Sequence, residues 1–463
     1  MEKITLFQPR HNNAPQEGKG NIYLPSSLIV VAARLLKAGV DLDIQDGNFR
    51  PLSTENSNIG INVVGAPYIP IIIEINNRIK KTLGRDAKTI LGGRVISGLS
   101  KDQFATLFGA GVYNGNDDNV LKKQLGLELR SLPAPDETSQ ISAYEKISDA
   151  NFYEYLSHEF CLYLSQGCKY ACEFCAADHT ARDPETGKST PVKERYRNLS
   201  VVEDELKYML DRAKRLNIRG FEIYLSNLDL FQTPQKLRQF AEIIIALKKS
   251  NPGFEIIMRG LSTAKAFMET YRKDKSIIGK MADAGLWSIG FGVDGISKQV
   301  WKSIKKGHNQ KDECIDAIRL TREEFNIMPE VFMVVGHSED TPETMDEDID
   351  FLLDMSEKFQ APPRPYVAKN TIPGNAGWSN PANKDTVEKF IRHPEYFQVL
   401  DYAALPSSLT HPDPQMRLHI EKAYKMMTSI PGNTTNIIYP LFPDIDERTS
   451  EIHRRLNLGK TDR

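Results

Sequence analysis

Long hydrophobic runs are missing from this 463-residue chain, and none reaches the ~18 apolar residues of a membrane helix. No membrane span is therefore expected. The opening Met1-Glu2-Lys3-Ile4-Thr5-Leu6 lacks the apolar core of a signal peptide and reads as the start of a strand. Neither sign of charge is in excess. With 59 basic and 61 acidic residues the formal net charge is −2, so neither a nucleic-acid surface nor a polybasic membrane patch is expected. Cysteine is scarce. Five unevenly spaced cysteines make no disulfide framework and fit a reducing, cytoplasmic setting. Internal repeats and long low-complexity tracts are absent. The remaining composition, 40% hydrophobic and 26% charged, is that of a soluble globular protein, and the length accommodates two or three domains with sizeable cores.

The few cysteines are not scattered. Cys168, Cys172 and Cys175 fall within eight residues as C-x3-C-x2-C. Thiolates clustered so tightly share one metal centre, and three of them suit one face of a cubane iron–sulfur cluster, which normally takes four. The missing fourth ligand leaves an iron open, as in catalytic rather than structural metal sites. Zinc is the rival reading. It normally pairs two short clusters of cysteine or histidine, and no second cluster is present. His179 is the nearest alternative ligand and reads better as a polar loop residue. Cys161, on a strand, and Cys314, in a helical pattern, read as packed thiols.

Upstream, strand and helix patterns alternate. Residues 4–7 form an apolar run closed by Gln8-Pro9-Arg10, and Pro25-Ser26-Ser27 opens a helix stopped by Gly39. Strands are expected over 40–44, 59–64 and 89–91, with a helix over 71–83. This alternation predicts a parallel sheet with helices on both faces, whose ligands bind at the carboxyl ends of the strands. Those ends carry Pro9, Asp46, Gly65 and Gly92-Gly93. The glycines either let a ligand approach the backbone or only terminate strands. No G-x-G-x-x-G follows the first strand, which counts against a nicotinamide cofactor. Residues 128–155, with Pro133, Pro135, Asp136 and several serines, read as a linker.

Downstream, a strand over 160–164 runs into the cysteine loop, and 179–197 reads as an exposed loop. Further strands over 221–225, 255–259, 287–293, 331–335 and 365–368 alternate with helices. These six βα-like units predict a curled parallel sheet or partial barrel with its site at the carboxyl ends. Beyond it, helices are expected over 386–391, 416–427 and 446–456. Trp378, Tyr396 and Tyr402 line a pocket there or pack in the core.

With these motifs in hand, Ser165-Gln166-Gly167-Cys168-Lys169-Tyr170-Ala171-Cys172-Glu173-Phe174-Cys175 resembles the signature of radical S-adenosylmethionine enzymes, including the aromatic Phe174 before the third cysteine. The resemblance implies a [4Fe–4S] cluster on Cys168, Cys172 and Cys175. Its open iron would be chelated by S-adenosylmethionine, whose reductive cleavage gives a 5′-deoxyadenosyl radical. An electron donor such as flavodoxin or ferredoxin is then implied as a partner. Val335-Gly336-His337-Ser338-Glu339 resembles the fifth-strand motif beside the adenine, with Gly336 and Glu339 as contacts. Phe291-Gly292-Val293-Asp294-Gly295 resembles the fourth-strand motif, with Asp294 in the acidic, ribose-facing position. The usual glycine-glycine-glutamate after the second strand is absent, so Ser226 and Asn227 stand in for it, with Asp229 a weaker candidate. Arg259 reads as ending the third strand, toward the methionine carboxylate or in a surface ion pair.

The N-terminal residues also resemble the cobalamin-binding domains fused to such enzymes, through residues 25–36, Asp46, Val64-Gly65, Gly92-Gly93 and Gly115-Asn116-Asp117-Asp118. Pro373-Gly374-Asn375 resembles that subgroup's turn after the last strand. The implied fold is α/β: a Rossmann-like cobalamin-binding domain (1–135), a linker (136–155), a radical SAM partial (β/α)6 barrel (156–375) and a mostly helical C-terminal region (376–463). The family's cobalt-ligating aspartate-x-histidine-x-x-glycine motif is absent. His11 is the only histidine in that loop, and a cobalt without a lower protein ligand would exchange its methyl group easily. The implied activity is methyl transfer to an unactivated carbon of a small-molecule, peptide or lipid substrate. The alternatives are cyclisation, ring contraction or another rearrangement on the same cofactors, and a non-catalytic carrier.

Overall fold

A computed structural model of the chain describes residues 3–10, 22–84, 87–126, 132–177, 180–182, 189–401 and 404–431. His11, His179, Tyr402 and the helix expected over 446–456 lie outside the described residues.

Five parallel strands open the chain: β1 (Ile4–Gln8), β2 (Leu42–Asp46), β3 (Asn58–Asn62), β4 (Lys88–Gly92) and β5 (Val112–Asn114). Their order is β2-β1-β3-β4-β5, a doubly wound arrangement whose chain reverses direction across the sheet between β1 and β3. Every residue of β1 and β3 is buried, as a sheet covered on both faces requires. Helix α1 (Ser26–Lys37) packs with Ile4, Leu6 and Ile90 on one face. Helix α2 (Tyr68–Leu83) packs with Phe7, Ile59 and Leu91 on the other. The strands β2 and β3 lie close to their expected positions, while β5 and the helices α3 (Arg94–Ser97), α4 (Lys101–Phe108) and α5 (Asp118–Gln124) add to what the pattern revealed.

The stretch expected to be a linker is core. A 3-10 turn, Pro135–Glu137, leads to α6 (Ile141–Tyr144) and α7 (Asp149–Ser157). Tyr144 and Phe152 are fully buried and pack edge-to-face on each other, and Tyr144 packs likewise on Phe160 of the next strand. The polar residues that suggested a linker are caps and tethers. Ser148 caps α7 at Asn151 N (3.3 Å), and Asp136 accepts from the Tyr163 hydroxyl (2.9 Å).

The central region follows with β6 (Glu159–Leu162), β7 (Ser165–Cys168), β8 (Thr180–Arg182), β9 (Ser189–Tyr196), α8 (Leu199–Arg215), β10 (Gly220–Leu225), α9 (Pro234–Ser250), β11 (Glu255–Ser262), α10 (Ala264–Asp274), α11 (Ser276–Ala284), β12 (Leu286–Gly292), α12 (Lys298–Ser303), α13 (Lys311–Glu323), β13 (Met328–Val335), α14 (Pro342–Phe359) and β14 (Pro363–Val367). Six of these strands form a curled parallel half-barrel in the order β14-β13-β12-β11-β10-β6. Alternate residues, such as Ile256, Met258 and Ser262 of β11, are buried beneath the helices. The residues between them face the inner side, where Arg259 meets Glu159 and Glu330. Within the expected exposed loop over 179–197, the described residues 180–182 and 189–196 are strands, with β9 pairing antiparallel to β7 and to β8.

The C-terminal region is mostly helical. Within it α15 (Lys384–Arg392) joins Trp378 and Phe397 in the core beneath α2, and α16 (Pro414–Ser429) packs along α14 and β14. Trp378 is a core residue, and its Nε1 donates to Gln103 Oε1 of α4 at 3.1 Å. No described helix is long and apolar enough to cross a membrane.

Candidate active site at the cysteine loop

Strand β7 delivers the cysteine loop to the carboxyl end of the half-barrel. Gly167 makes the entry possible. Its φ of +103° suits glycine alone, and a Cβ would stand 2.7 Å from Lys193 O and 2.8 Å from Val192 O of β9. Cys168 ends the strand in a buried position, and Cys172 and Cys175 are half-buried. A turn closes the loop, with Cys175 N donating to Cys172 O at 3.2 Å and Ala177 N to Cys175 Sγ at 3.5 Å. Burial pushes the Cys168 thiol up to about 12 and Cys172 up to about 11, and also raises Cys175. The three thiols feel one another electrostatically. Buried thiols so placed favour a neutral state unless a cation replaces their protons, which is the chemistry of a thiolate-ligated iron centre. Among the described residues no three His, Cys, Asp or Glu side chains converge as for a single metal ion. In number and kind the three thiols match the thiolate donors that an iron–sulfur cluster takes.

Four segments hold this loop. Residues 304–308 run along one side: Glu173 N donates to Ile304 O (2.9 Å), Lys305 pairs with Glu173, and His308 stacks on Tyr170 with centroids 3.7 Å apart. On another side Ala376 N donates to Glu173 O at 3.0 Å. Lys169 N donates to Gln232 Oε1 at 2.7 Å. From the N-terminal sheet, Arg94 Nε donates to Ala176 O at 3.0 Å. Beside it Gly98 lies against the Pro373-Gly374 turn so closely that a Cβ would be 2.2 Å from Gly374 N. The carboxyl end of β4 and the cysteine loop are therefore in direct contact.

Several expected site residues gather at the barrel mouth. Phe174 packs its ring 5.3 Å from that of His337. Asn227 is buried, donating to Ser165 Oγ (2.7 Å) and Tyr196 Oη (3.1 Å), while its Oδ1 has no partner. Ser226 Oγ is turned back to Leu162 O at 2.9 Å. Gly336 follows β13 with φ +93° beneath Ile420 of α16. Asp229 is fully buried and staples the ends of β10 and β11, accepting from Ser262 Oγ (2.8 Å) and Thr263 Oγ1 (2.9 Å).

Other expected placements are corrected. Arg259 does not end its strand, because β11 continues to Ser262. It lies inside the half-barrel, bidentate to Glu159 at 2.5 and 3.1 Å. Asp294 is buried and paired with Lys306. Glu339 is exposed. The neighbouring Asp340 does the loop's work, accepting from Gly336 N (2.7 Å) and His337 N (2.8 Å). At the N-terminal sheet, Asp46 is turned to α7, accepting from Tyr155 Oη (2.7 Å) and Asn48 N (2.8 Å), with burial raising its pKa. Gly65, Gly92 and Gly93 do line the carboxyl ends. Gly93, at φ +123°, packs on Val63 O, and Asn116 bridges its N (2.9 Å) and O (2.8 Å).

A sequence-family model described as the radical SAM superfamily matches residues 162–352. The chain carries a radical SAM domain. The match begins at the last residue of β6 and ends in α14, so it contains the cysteine loop and the half-barrel strands β10, β11, β12 and β13. No curated protein matches the chain in sequence. Among solved structures, the radical S-adenosylmethionine methyltransferase TsrM from Kitasatospora setae, with cobalamin and a [4Fe–4S] cluster bound, is similar at TM-score 0.59 and 16% identity, covering 81% of this chain and 77% of that one. The cobalamin-dependent S-adenosylmethionine radical enzyme OxsB, with aqua-cobalamin and S-adenosylmethionine bound, is similar at TM-score 0.59 and 18% identity. That alignment covers 86% of this chain but only 56% of OxsB. At these identities the likeness is one of fold, and it includes the region N-terminal to the radical SAM domain.

Around the radical SAM domain, sequence reasoning missed three residues. Arg94 follows Gly92-Gly93 directly, and its position after a glycine pair at a strand end was the available signal. His337 is buried with both ring nitrogens unpartnered, and burial lowers its pKa, so it is a neutral imidazole beside Phe174. It lay inside the quoted fifth-strand motif. Lys306 sits in a lysine-rich run whose neighbours Lys302 and Lys305 are exposed, and nothing local sets it apart.

Proposed function

We propose that the protein is a cobalamin-dependent radical SAM methyltransferase acting on an unactivated carbon of a small-molecule, peptide or lipid substrate. The observation that carries this reading is the contact between the cysteine loop and the carboxyl end of the N-terminal sheet, through Arg94 with Ala176 and Gly98 with Gly374. When bound, a [4Fe–4S] cluster with S-adenosylmethionine supplies hydrogen-atom abstraction and cobalamin supplies a transferable methyl group. Cys168, Cys172 and Cys175 would hold the cluster. Asn227, with Oδ1 buried and unpartnered, offers an acceptor suited to the methionine amino group. His337 offers a neutral, unpartnered imidazole beside Gly336, able to donate from one nitrogen and accept at the other. On the opposite side Gly65, Gly92 and Gly93 bring bare backbone to the crevice, and Val64 stands 58% exposed next to Gly65. An apolar, small-residue surface of this kind suits the broad face of a corrin. The cysteine loop, held on several sides, keeps its donors oriented and limits water.

The test is anaerobic purification with iron and cobalt quantified together, followed by mass analysis of the product. Four irons and one cobalt per chain, with a product heavier by one methylene unit, are expected. An isobaric or oxidised product would redirect the assignment to rearrangement. Cobalt-free protein that still releases 5′-deoxyadenosine would remove cobalamin from it.

A further inference from the structure

We infer that Lys306 and Asp294 form a buried charge pair whose cationic end faces the cysteine loop and sets the electron affinity of the centre that the loop holds. The inference rests on the proposed cluster and adds Lys306, which no quoted family motif contains, as the partner of Asp294. Lys306 is 5% exposed and Asp294 6%, and their side chains are ion-paired. Lys306 Nζ also lies 5.9 Å from the ring centroid of Phe174, the residue between Cys172 and Cys175. The pair is held rigidly. Lys306 N donates to Trp301 O (2.7 Å), Trp301 Nε1 to Val293 O (2.9 Å), and Asn309 Nδ2 to Val293 O (3.1 Å). Asp294 N donates to Phe332 O at 3.1 Å. Gly292 leaves room for the pair, since a Cβ there would be 3.0 Å from Lys306 Nζ and 3.3 Å from Asp294 Oδ2.

A buried ion pair is weak ground for stability, because desolvating two charges offsets most of their attraction. Its position gives it another consequence. Lys306 is also tied to the loop through its neighbours, since Glu173 N donates to Ile304 O (2.9 Å) and Lys305 pairs with Glu173. One-electron reduction adds a negative charge to a thiolate-ligated cluster in a low-dielectric pocket. A cation held beside the loop stabilises the reduced form, and the anion paired with it opposes that. The pair therefore acts as an oriented dipole, and its two ends can be removed separately.

The full chain, anaerobically reconstituted and checked for iron, is titrated potentiometrically with the EPR signal of the reduced cluster as readout. Lys306→Met leaves the anion alone and is expected to shift the midpoint to more negative potential. Asp294→Asn leaves the cation alone and is expected to shift it the opposite way. Lys306→Arg keeps the charge and should stay near the unsubstituted protein. A merely structural pair would cost iron or stability in both variants without opposite shifts. Shifts of the same sign, or unmoved potentials at full iron content, overturn the inference. Should Lys306→Met fail to hold iron, the sign for Asp294→Asn alone decides, a positive shift supporting the inference and any other result overturning it. No reducible cluster in the unsubstituted protein would overturn the proposed function, and the inference with it.

Discussion

Gly167 shows how much a single backbone position can decide. It holds a conformation with φ +103°, and its Cα faces two carbonyls of β9 at distances that leave no space for a methyl group. Gly167→Ala therefore meets both strain and collision, of order 1–3 kcal/mol for the backbone alone. The ribbon is expected to yield first, so iron incorporation should fall severalfold in reconstitution assays while the thermal midpoint drops only modestly. Full iron content in the alanine variant would contradict this role. His308 makes a second residue-scale case. Burial, with Lys306, Lys169 and Lys265 around it, lowers its pKa to about 3. The unfolded chain protonates this imidazole near 6.5, so between pH 6.5 and 3 the unfolded state binds a proton that the folded state refuses. Its contribution to stability is present above about pH 6.5 and is lost as the pH falls. His308→Phe keeps the stacking on Tyr170 and removes the titration. The thermal midpoint of the variant relative to the parent should rise steadily from pH 7.5 to pH 5, and a pH-independent difference would refute the assignment.

At the scale of elements, legibility follows the range of the interactions involved. The cysteine loop was readable because its ligands lie within eight residues. The strand–helix alternation was readable because the buried strands are apolar. The β7–β9 ribbon was not, since Lys193, Glu194 and Arg195 look like a solvated loop. Glu194 is satisfied only across the fold, by Ser165 Oγ (2.6 Å) and Thr233 Oγ1 (2.7 Å). The same holds for α6 and α7: the fully buried pair of Arg197 and Glu205 tethers the start of α6, and Arg212 tethers α7 at Asp149. Arg197 is bidentate to Glu205 at 2.6 and 2.7 Å and donates to Thr138 O (3.1 Å), while Glu205 accepts from Gln140 N (2.6 Å). Arg197→Met strands a buried carboxylate and should cost about 3–5 kcal/mol in denaturant unfolding. The double substitution Arg197→Met with Glu205→Leu should cost less than that single change, because no unpaired charge remains. A double variant as unstable as the sum of the singles would mean that the pair's hydrogen bonds to backbone, rather than its charges, hold the start of α6.

At the scale of the whole molecule, the α1 face of the N-terminal sheet shares one continuous core with the half-barrel, and two further joints of different character lie elsewhere. One is apolar: Trp378, Phe390 and Phe397 pack together beneath α2 and are continuous with the N-terminal core. The other is the backbone contact of Gly98 with Gly374, next to the bond from Arg94 to Ala176. The two make different demands, so they can be separated by substitution. Together with the core shared on the α1 face, the apolar joint keeps the N-terminal sheet attached to the rest of the chain. The glycine joint sets the gap at the proposed crevice, and a side chain at position 98 must push the turn at Gly374 away. Gly98→Leu should therefore leave the chain folded, and it should leave iron at its full complement, because residues 304–308 and Ala376 still hold the cysteine loop. Cobalt should be retained about tenfold less well, equivalent to roughly 1.4 kcal/mol. Iron and cobalt measured on one anaerobic preparation decide the matter. Loss of both metals would mean that the glycine joint supports the cysteine loop itself, and retention of both would mean that corrin binding does not depend on how closely the two sheets approach.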